Sequence, residues 1–250
     1  MKNHFIIRGF RSIEECLHSN SGKILKILVS GKPNSREEEI LTLARKKNIA
    51  IEKENTPSKD GPRSAECLSA ILKEFIYADF SHAKSSLEEK IKNGEKPCLL
   101  ALDGIQDPQN FGAIIRTAAF MGIDGILIPK DRSASVNETV YRISSGGLEY
   151  VQIMQVANLS TALDQLKKAG FWVVGFTEKA EQKLHSFDQT FPSVIVIGSE
   201  EKGMRPLIEN QCDHLLSLEG RGAFSTLNAS VAAALAMSWA TDFFSRTKKT

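Results

Sequence analysis

Three stretches of the chain bring together residue types that could hold a nucleotide and act on it. In the first, Asn110-Phe111-Gly112-Ala113-Ile114-Ile115-Arg116-Thr117, an arginine follows a glycine by four positions. In a helix that spacing sets the guanidinium one turn from a residue with no side chain, so a sugar-phosphate could approach a planar, permanently charged cation. In the second, the apolar run Val194 to Ile197 ends at Gly198, where backbone can come close to a ligand, and Glu200 stands just beyond the strand end. In the third, Leu216-Ser217-Leu218 runs into Glu219-Gly220-Arg221-Gly222, and a helix is predicted to start near Ser225, where backbone amides would face a ligand. Each stretch also has a plainer reading. Arg116 reads as a solvated helix residue, and Ser199 or Glu200 as the cap of an ordinary strand-to-helix turn. The run Ala232, Ala233, Ala234 and Ala236 suits either a well-packed helix or a close helix contact in a dimer.

These residues need elements to hold them. After Pro97, strands are predicted at Cys98 to Leu102, Gly125 to Ile128, Tyr150 to Val156, Phe171 to Phe176, Val194 to Ile197 and His214 to Leu218, with helical patterns between most of them. Several are continuous apolar runs, as expected for strands of a parallel sheet covered on both faces. On the helix that Asn110 is expected to open, Phe111, Ile114, Ile115, Ala118 and Met121 share one face and Arg116 points away from it. Ahead of this lies a smaller α/β region. A short amphipathic helix buries Ile13, Cys16 and Leu17, and a strand covers Ile24 to Val29. A helix capped by Ser35, with Glu37, Glu38 and Glu39 at its start, turns Ile40, Leu43 and Ala44 inward, and a strand follows at Ile49 to Lys53. Polar stretches at Asn55 to Arg63 and Ala78 to Lys96 read as a loop and a junction. The expected division is an N-terminal domain over 1–80, a linker over 81–96 and a catalytic domain over 97–250.

Composition excludes several classes. Lys and Arg total 32 against 30 Asp and Glu, so net charge gives no case for a nucleic-acid partner, and only a slight basic excess marks residues 1–80. The four cysteines form no C-x-x-C pair and the five histidines stand alone, which argues against structural zinc and a disulfide framework; no metal is expected. Met1 to Phe5 does not open a signal peptide and no segment approaches the ~20 apolar residues of a membrane span, so a reducing cytoplasm is the expected location. A G-x-G-x-x-G after the first strand, a G-x-x-x-x-G-K-[ST] loop and a spaced Ser-His-Asp set are all missing. From the residues alone, the reading ends at a cofactor-binding α/β domain.

Taken together and in order, N-F-G-A-I-I-R-T-A, I-G-S-E-E-K-G-M and L-S-L-E-G-R-G-A-F-S-T-L-N-A-S-V-A resemble the three motifs of the SpoU/TrmH family of RNA 2′-O-ribose methyltransferases, over residues 97–246. Pro129-Lys130-Asp131-Arg132-Ser133-Ala134, followed by Asn137, is similar to the 23S rRNA guanosine-2′-O-methyltransferases, the RlmB group. The resemblance implies a SPOUT fold, an α/β domain with a parallel sheet and a trefoil knot in its C-terminal chain, that binds S-adenosylmethionine and dimerises through the knot. It implies that Gly198, Leu218, Thr226, Leu227 and Gly175 contact the cofactor, and that Arg116, Asn110, Glu200 and Asn228 are the catalytic set, with Arg116 central. The chain departs from the family pattern at Glu219-Gly220, where relatives carry Pro-Met, and at Thr226, where they carry Ser. The opening region, with Gly9-Phe10 and Ile13-Glu14-Glu15-Cys16-Leu17, is similar to the family's ribosomal-protein-like RNA substrate-binding domain, though the His-Gln-Gly element of relatives is absent.

Methyl transfer to a 2′-hydroxyl needs the oxygen in line with the methyl group and loss of its proton. Arginine, with a pKa above ~12, is a poor base. Arg116 is therefore expected to hold the adjacent phosphate and stabilise the developing alkoxide, with Asn110 and Glu200 orienting Arg116 and the nucleotide. Ribosomal RNA is favoured over transfer RNA as substrate. A catalytically inactive RNA-binding homologue and a nucleotide-dependent oxidoreductase remain as rivals.

Overall fold

The computed structural model describes residues 4–54, 67–187, 190–218, 220 and 226–242. They fall into two compact units, Met1–Ile76 with Val136–Tyr150, and Tyr77–Ser135 with Val151–Thr250.

In the first unit, β1 (Phe5–Arg8), β2 (Ile24–Val29), β3 (Ala50–Lys53) and β4 (Leu68–Leu72) form a sheet of order β1-β4-β2-β3. β4 runs antiparallel to β1 and β2, and β3 parallel to β2. Helix α1 (Phe10–Asn20) buries Ile13, Cys16 and Leu17 as its spacing predicts. Helix α2 (Ser35–Lys46) is capped by Asn34 and not by Ser35. The Asn34 side chain accepts from the Glu37 amide, and the Glu37 carboxylate accepts from the Asn34 amide, so two otherwise unpaired donors are satisfied reciprocally. Glu37 is buried because it is fully engaged, its second oxygen accepting from the Cys67 amide at 2.7 Å. Leu41 joins Ile40 and Ala44 inside, while Leu43 is half-buried.

The expected boundaries change in two places. Residues 81–96 are no linker: α3 (Phe80–Lys92), capped by Asp79, packs Ala83 and Leu87 into the core of the second unit, with Ile91 against it. Apolar residues at steps of four on an otherwise charged helix are enough to bury one narrow stripe. Conversely, Val136–Tyr150 belongs to the first unit. Its helix α5 (Glu138–Ser144) starts at the cap Asn137. Glu138 accepts from the Ile6 amide, Tyr141 carbonyl accepts from Ser12 Oγ, and the nearly buried Glu149 accepts from Lys23 at 2.8 Å and from Ser19 at 2.9 Å.

The second unit is built on β5 (Cys98–Asp103), β6 (Gly125–Pro129), β7 (Gln152–Val156), β8 (Trp172–Phe176), β9 (Ser193–Gly198) and β10 (His214–Leu216), all parallel, in the order β10-β8-β9-β5-β6-β7. Leu99 through Leu102 are fully buried, the condition their unbroken apolar run requires. Helix α4 (Pro108–Met121) is opened by the Asp107 cap, three residues ahead of the predicted opener Asn110, with Pro108 in its first turn. It buries Phe111, Ile114, Ile115 and Ala118, about 1.5–3 kcal/mol for each large side chain. Helices α6 (Leu159–Lys168) and α7 (Pro206–Glu209) follow, and α8 (Ala229–Ala240) packs on α4 and β9. Asn228 caps α8, so that helix starts four residues later than predicted; residues 221–225 lie outside those described. Among the described residues no helix is long and apolar enough to cross a membrane.

Candidate functional site

In the second unit, the first turn of α4, the loop after β9 and the start of α8 meet at one carboxylate. Glu200 Oε1 accepts from Asn110 Nδ2 at 3.1 Å, from Asn228 Nδ2 at 2.5 Å and from the Ala229 amide at 2.8 Å. Asn228 Nδ2 also donates to Asn110 Oδ1 at 2.9 Å, while Asn228 Oδ1 accepts from the Ser230 amide and hydroxyl. Residues 110, 200 and 228 are thus tied into one network. An anion with three donors at the N-terminus of a twelve-residue helix is favoured twice, by charge-assisted bonds and by the helix dipole.

Arg116 is placed differently. It lies six residues beyond Asn110 on α4, about 9 Å along the axis, and is exposed. Among the described residues it has no hydrogen-bond or ion-pair partner. The expectation that Asn110 and Glu200 orient Arg116 is therefore corrected: those two orient each other and Asn228. Gly112 is buried, so it does not open the surface beside Arg116 as the spacing predicts.

Beside the network is a cavity of about 280 Å³, near the lower end of ligand pockets. Gly198, Leu218, Thr226 and Leu227 line it, and Glu200 forms part of its wall. Gly198 allows this for a reason other than the one anticipated. A Cβ there would lie 2.2 Å from the Gly203 carbonyl carbon and the Met204 nitrogen, so the glycine admits the chain's own returning loop. That loop is a tight turn in which the Ser199 and Gly203 backbones exchange bonds at 3.1 and 2.8 Å. Gly175 is not among the lining residues. It lies in β8 where a Cβ would meet Cys212 Sγ at 2.6 Å and the side chains of Leu215 and Met204 at 2.9 Å, a close-packing requirement. Of the Glu219-Gly220 departure, Glu219 lies outside the described residues.

The wall also contains Phe176, Thr177, Glu178 and Lys179, which lie outside the three motifs, together with Lys202 and Met204 of the second motif, for which the resemblance implies no role. The signal for the first four was present: they follow the carboxyl end of β8, where open parallel sheets collect ligands. Apolar Phe176, Ile197, Met204, Leu218 and Leu227 suit an adenine ring, and the carboxylates of Glu178, Glu201 and Glu209 suit a cationic sulfonium and ammonium. The residues present fit S-adenosylmethionine. Nucleophilic thiol chemistry is a poor fit, because burial pushes both Cys98 and Cys212 up to about 12.

Comparison with known proteins gives two family matches: the SpoU rRNA Methylase family over residues 97–238, and RNA 2′-O ribose methyltransferase substrate binding over residues 6–57. The chain is 33% identical over 239 residues, 94% of each protein, to a TrmH family tRNA/rRNA methyltransferase of Bacillus subtilis. It is 43% identical over 150 residues, 60% of each protein, to the 23S rRNA (guanosine-2′-O-)-methyltransferase RlmB of Pseudomonas aeruginosa. The SpoU methyltransferase AviRb from Streptomyces viridochromogenes, solved in complex with AdoMet, superimposes with a TM-score of 0.79 at 22% identity, covering 97% of this chain and 91% of that one.

Proposed function

We propose, for a chain that belongs to the SpoU/TrmH family of RNA methyltransferases, that its methyl acceptor is the 2′-hydroxyl of a guanosine in 23S ribosomal RNA. The carrying observation is the Asn110–Glu200–Asn228 network, whose Glu200 lines a cavity of about 280 Å³, while the Arg116 side chain keeps its donors unpaired among the described residues. When bound, S-adenosylmethionine supplies an electrophilic methyl group. The cavity wall formed by residues 197–204, with Leu218, Thr226 and Leu227, holds that group and excludes water from one side of it. Glu200 fixes the loop after β9 to the start of α8, and Asn110 ties the first turn of α4 to both. Arg116 offers a planar fork to a phosphate and to the ribose oxygen as that oxygen loses its proton. Its guanidinium stays charged throughout, so its contribution is electrostatic.

The substrate-binding match over residues 6–57 supports assigning RNA capture to the first unit, and the RlmB likeness supports ribosomal RNA. The named relative from B. subtilis keeps transfer RNA as the second reading. A homodimer and a knotted C-terminal chain belong to the same proposal. In their support, α8 exposes Val231 and Leu235, each 46% accessible, and Ser217 is bonded to Gln182 and Leu184 before the chain enters α8. A cytoplasmic location belongs to the same proposal, supported by the RNA-modifying family. Mass mapping of 2′-O-methylated nucleotides in RNA from cells with and without the protein tests the reading. One 23S guanosine should lose its methyl group; loss confined to a transfer RNA would favour the second reading, and loss from neither would overturn both.

A further inference from the structure

A buried carboxylate outside the motif residues closes the loop that carries Glu200. Asp103 is the last residue of β5 and its backbone is in register with Gly198 at the end of β9. Its side chain is 1% accessible. Oδ2 accepts from the Arg205 amide at 2.7 Å, and Oδ1 accepts from Arg205 Nε at 2.7 Å with the second guanidinium nitrogen at 2.6 Å. Residues 198 and 205 are the two ends of the loop that forms one wall of the cavity. One aspartate therefore pins both ends, the first through strand pairing and the second through its carboxylate.

The cost of burying this charge bears on its purpose. An ionised carboxylate is expensive to take out of water, and a buried ion pair is seldom a net source of stability over apolar packing. Asp103 is retained at that cost with two short hydrogen bonds and a 2.6 Å ion-pair contact, all made to one residue 102 positions away. Closing the strand ends needs nothing so exacting, since β5 and β9 are already paired over six residues. What the pair adds is a fixed return path for residues 199–204, hence a fixed position for Glu200 relative to Asn110 and Asn228. We propose that Asp103 and Arg205 are positioning residues that set the cofactor cavity by clamping the Gly198–Arg205 loop. This rests on the assignment of the cavity to S-adenosylmethionine.

The test is titration calorimetry with S-adenosylhomocysteine, alongside thermal unfolding and steady-state kinetics in S-adenosylmethionine. Arg205→Ala removes the guanidinium and leaves the Arg205 backbone bond in place. That side chain is 47% accessible, so no core side chain is removed, while Asp103 loses its counter-charge and a lower melting temperature is expected alongside. Expected are a roughly tenfold rise in the dissociation constant and in KM for the methyl donor, little change in kcat at saturation, and partial rescue in Arg205→Lys, since displacement of a site wall by a fraction of an ångström costs this much. Asp103→Asn should show a larger rise of the same kind. A fall in melting temperature with wild-type affinity in the folded Arg205→Ala protein would overturn the inference, reducing the pair to a structural one. Failure of the wild-type chain to bind S-adenosylhomocysteine would instead overturn the cavity assignment, and the absence of 2′-O-methylation in cells the substrate assignment. The three failures are therefore distinct.

Discussion

Four polar residues proposed for one site behave in two ways. Asn110, Glu200 and Asn228, drawn from three distant stretches, spend their hydrogen bonds on each other and on the first amides of α8, while Arg116 has no partner among the described residues. A polar group already satisfied by the protein gains little from a ligand, but it fixes the backbone that bears it. A guanidinium whose donors are still directed to solvent can transfer them to a phosphate or an alkoxide at small cost. The difference separates framing from the proposed chemistry, and each half can be broken separately.

Removing Arg116 should have the largest effect. Arg116→Ala is expected to lower single-turnover methyl transfer by about 10²–10³-fold, the scale of losing one preorganised donor to developing charge, with S-adenosylhomocysteine affinity within twofold of wild type. Lysine keeps the charge but not the fork, so Arg116→Lys should recover only a small part. Comparable loss of cofactor affinity in either variant would place Arg116 with the framing residues and erase the contrast.

Breaking the network should be milder in rate and visible in stability. Glu200→Ala leaves two amide side chains and the Ala229 amide short of an acceptor, about 1–3 kcal/mol per unsatisfied group when buried and less here because Glu200 is exposed. Asn228→Ala removes the α8 cap, about 0.5–2 kcal/mol, readable by chemical denaturation. Asn228→Ser sharpens the comparison further. Serine caps a helix well but cannot bridge Asn110 and Glu200, so stability should return while cofactor affinity stays low. Recovery of both would mean that the cap is all Asn228 contributes.

What the sequence could disclose follows the same line. The strands of the second unit are continuous apolar runs, and a run such as Cys98 to Leu102 has few places to go but the middle of a covered sheet. Helix α3 reads as a polar junction because its buried stripe is only Ala83, Leu87 and Ile91 among lysines and glutamates, a pattern that gains meaning from the core it meets. The transfer of Val136–Tyr150 to the first unit has no local signal at all, since it depends on Glu138 and Glu149 meeting donors more than 120 residues away. In the site, motif resemblance identifies Asn110, Glu200 and Asn228 without their partners, and it gives Gly198 for backbone approach to a ligand when the approaching backbone is Gly203. Asp103 escapes notice because a charge ending an apolar strand looks like the start of a loop.

The smallest expected effect separates the two halves by pH. An arginine side chain is not deprotonated in proteins, so raising the pH should act on the protein through its fold and not through the guanidinium chemistry. Burial raises the Cys98 thiol from near 9.0 to about 12, with Asp124 adding to the rise and a bond from Ser193 opposing it. In the unfolded chain that thiol ionises near its ordinary value, and in the folded chain it stays protonated. The stabilisation is therefore fully present below pH 9 and is lost as pH climbs toward 12, by at most about 1.4 kcal/mol per unit for one thiol. Between pH 9 and 11, denaturant unfolding of Cys98→Ala should show a shallower decline than wild type, while single-turnover rates of the folded fraction stay level in both. A wild-type slope in the variant would remove Cys98 from the account. A rate that fell together with protein stability in the folded fraction would show that framing and chemistry are not separable at this site.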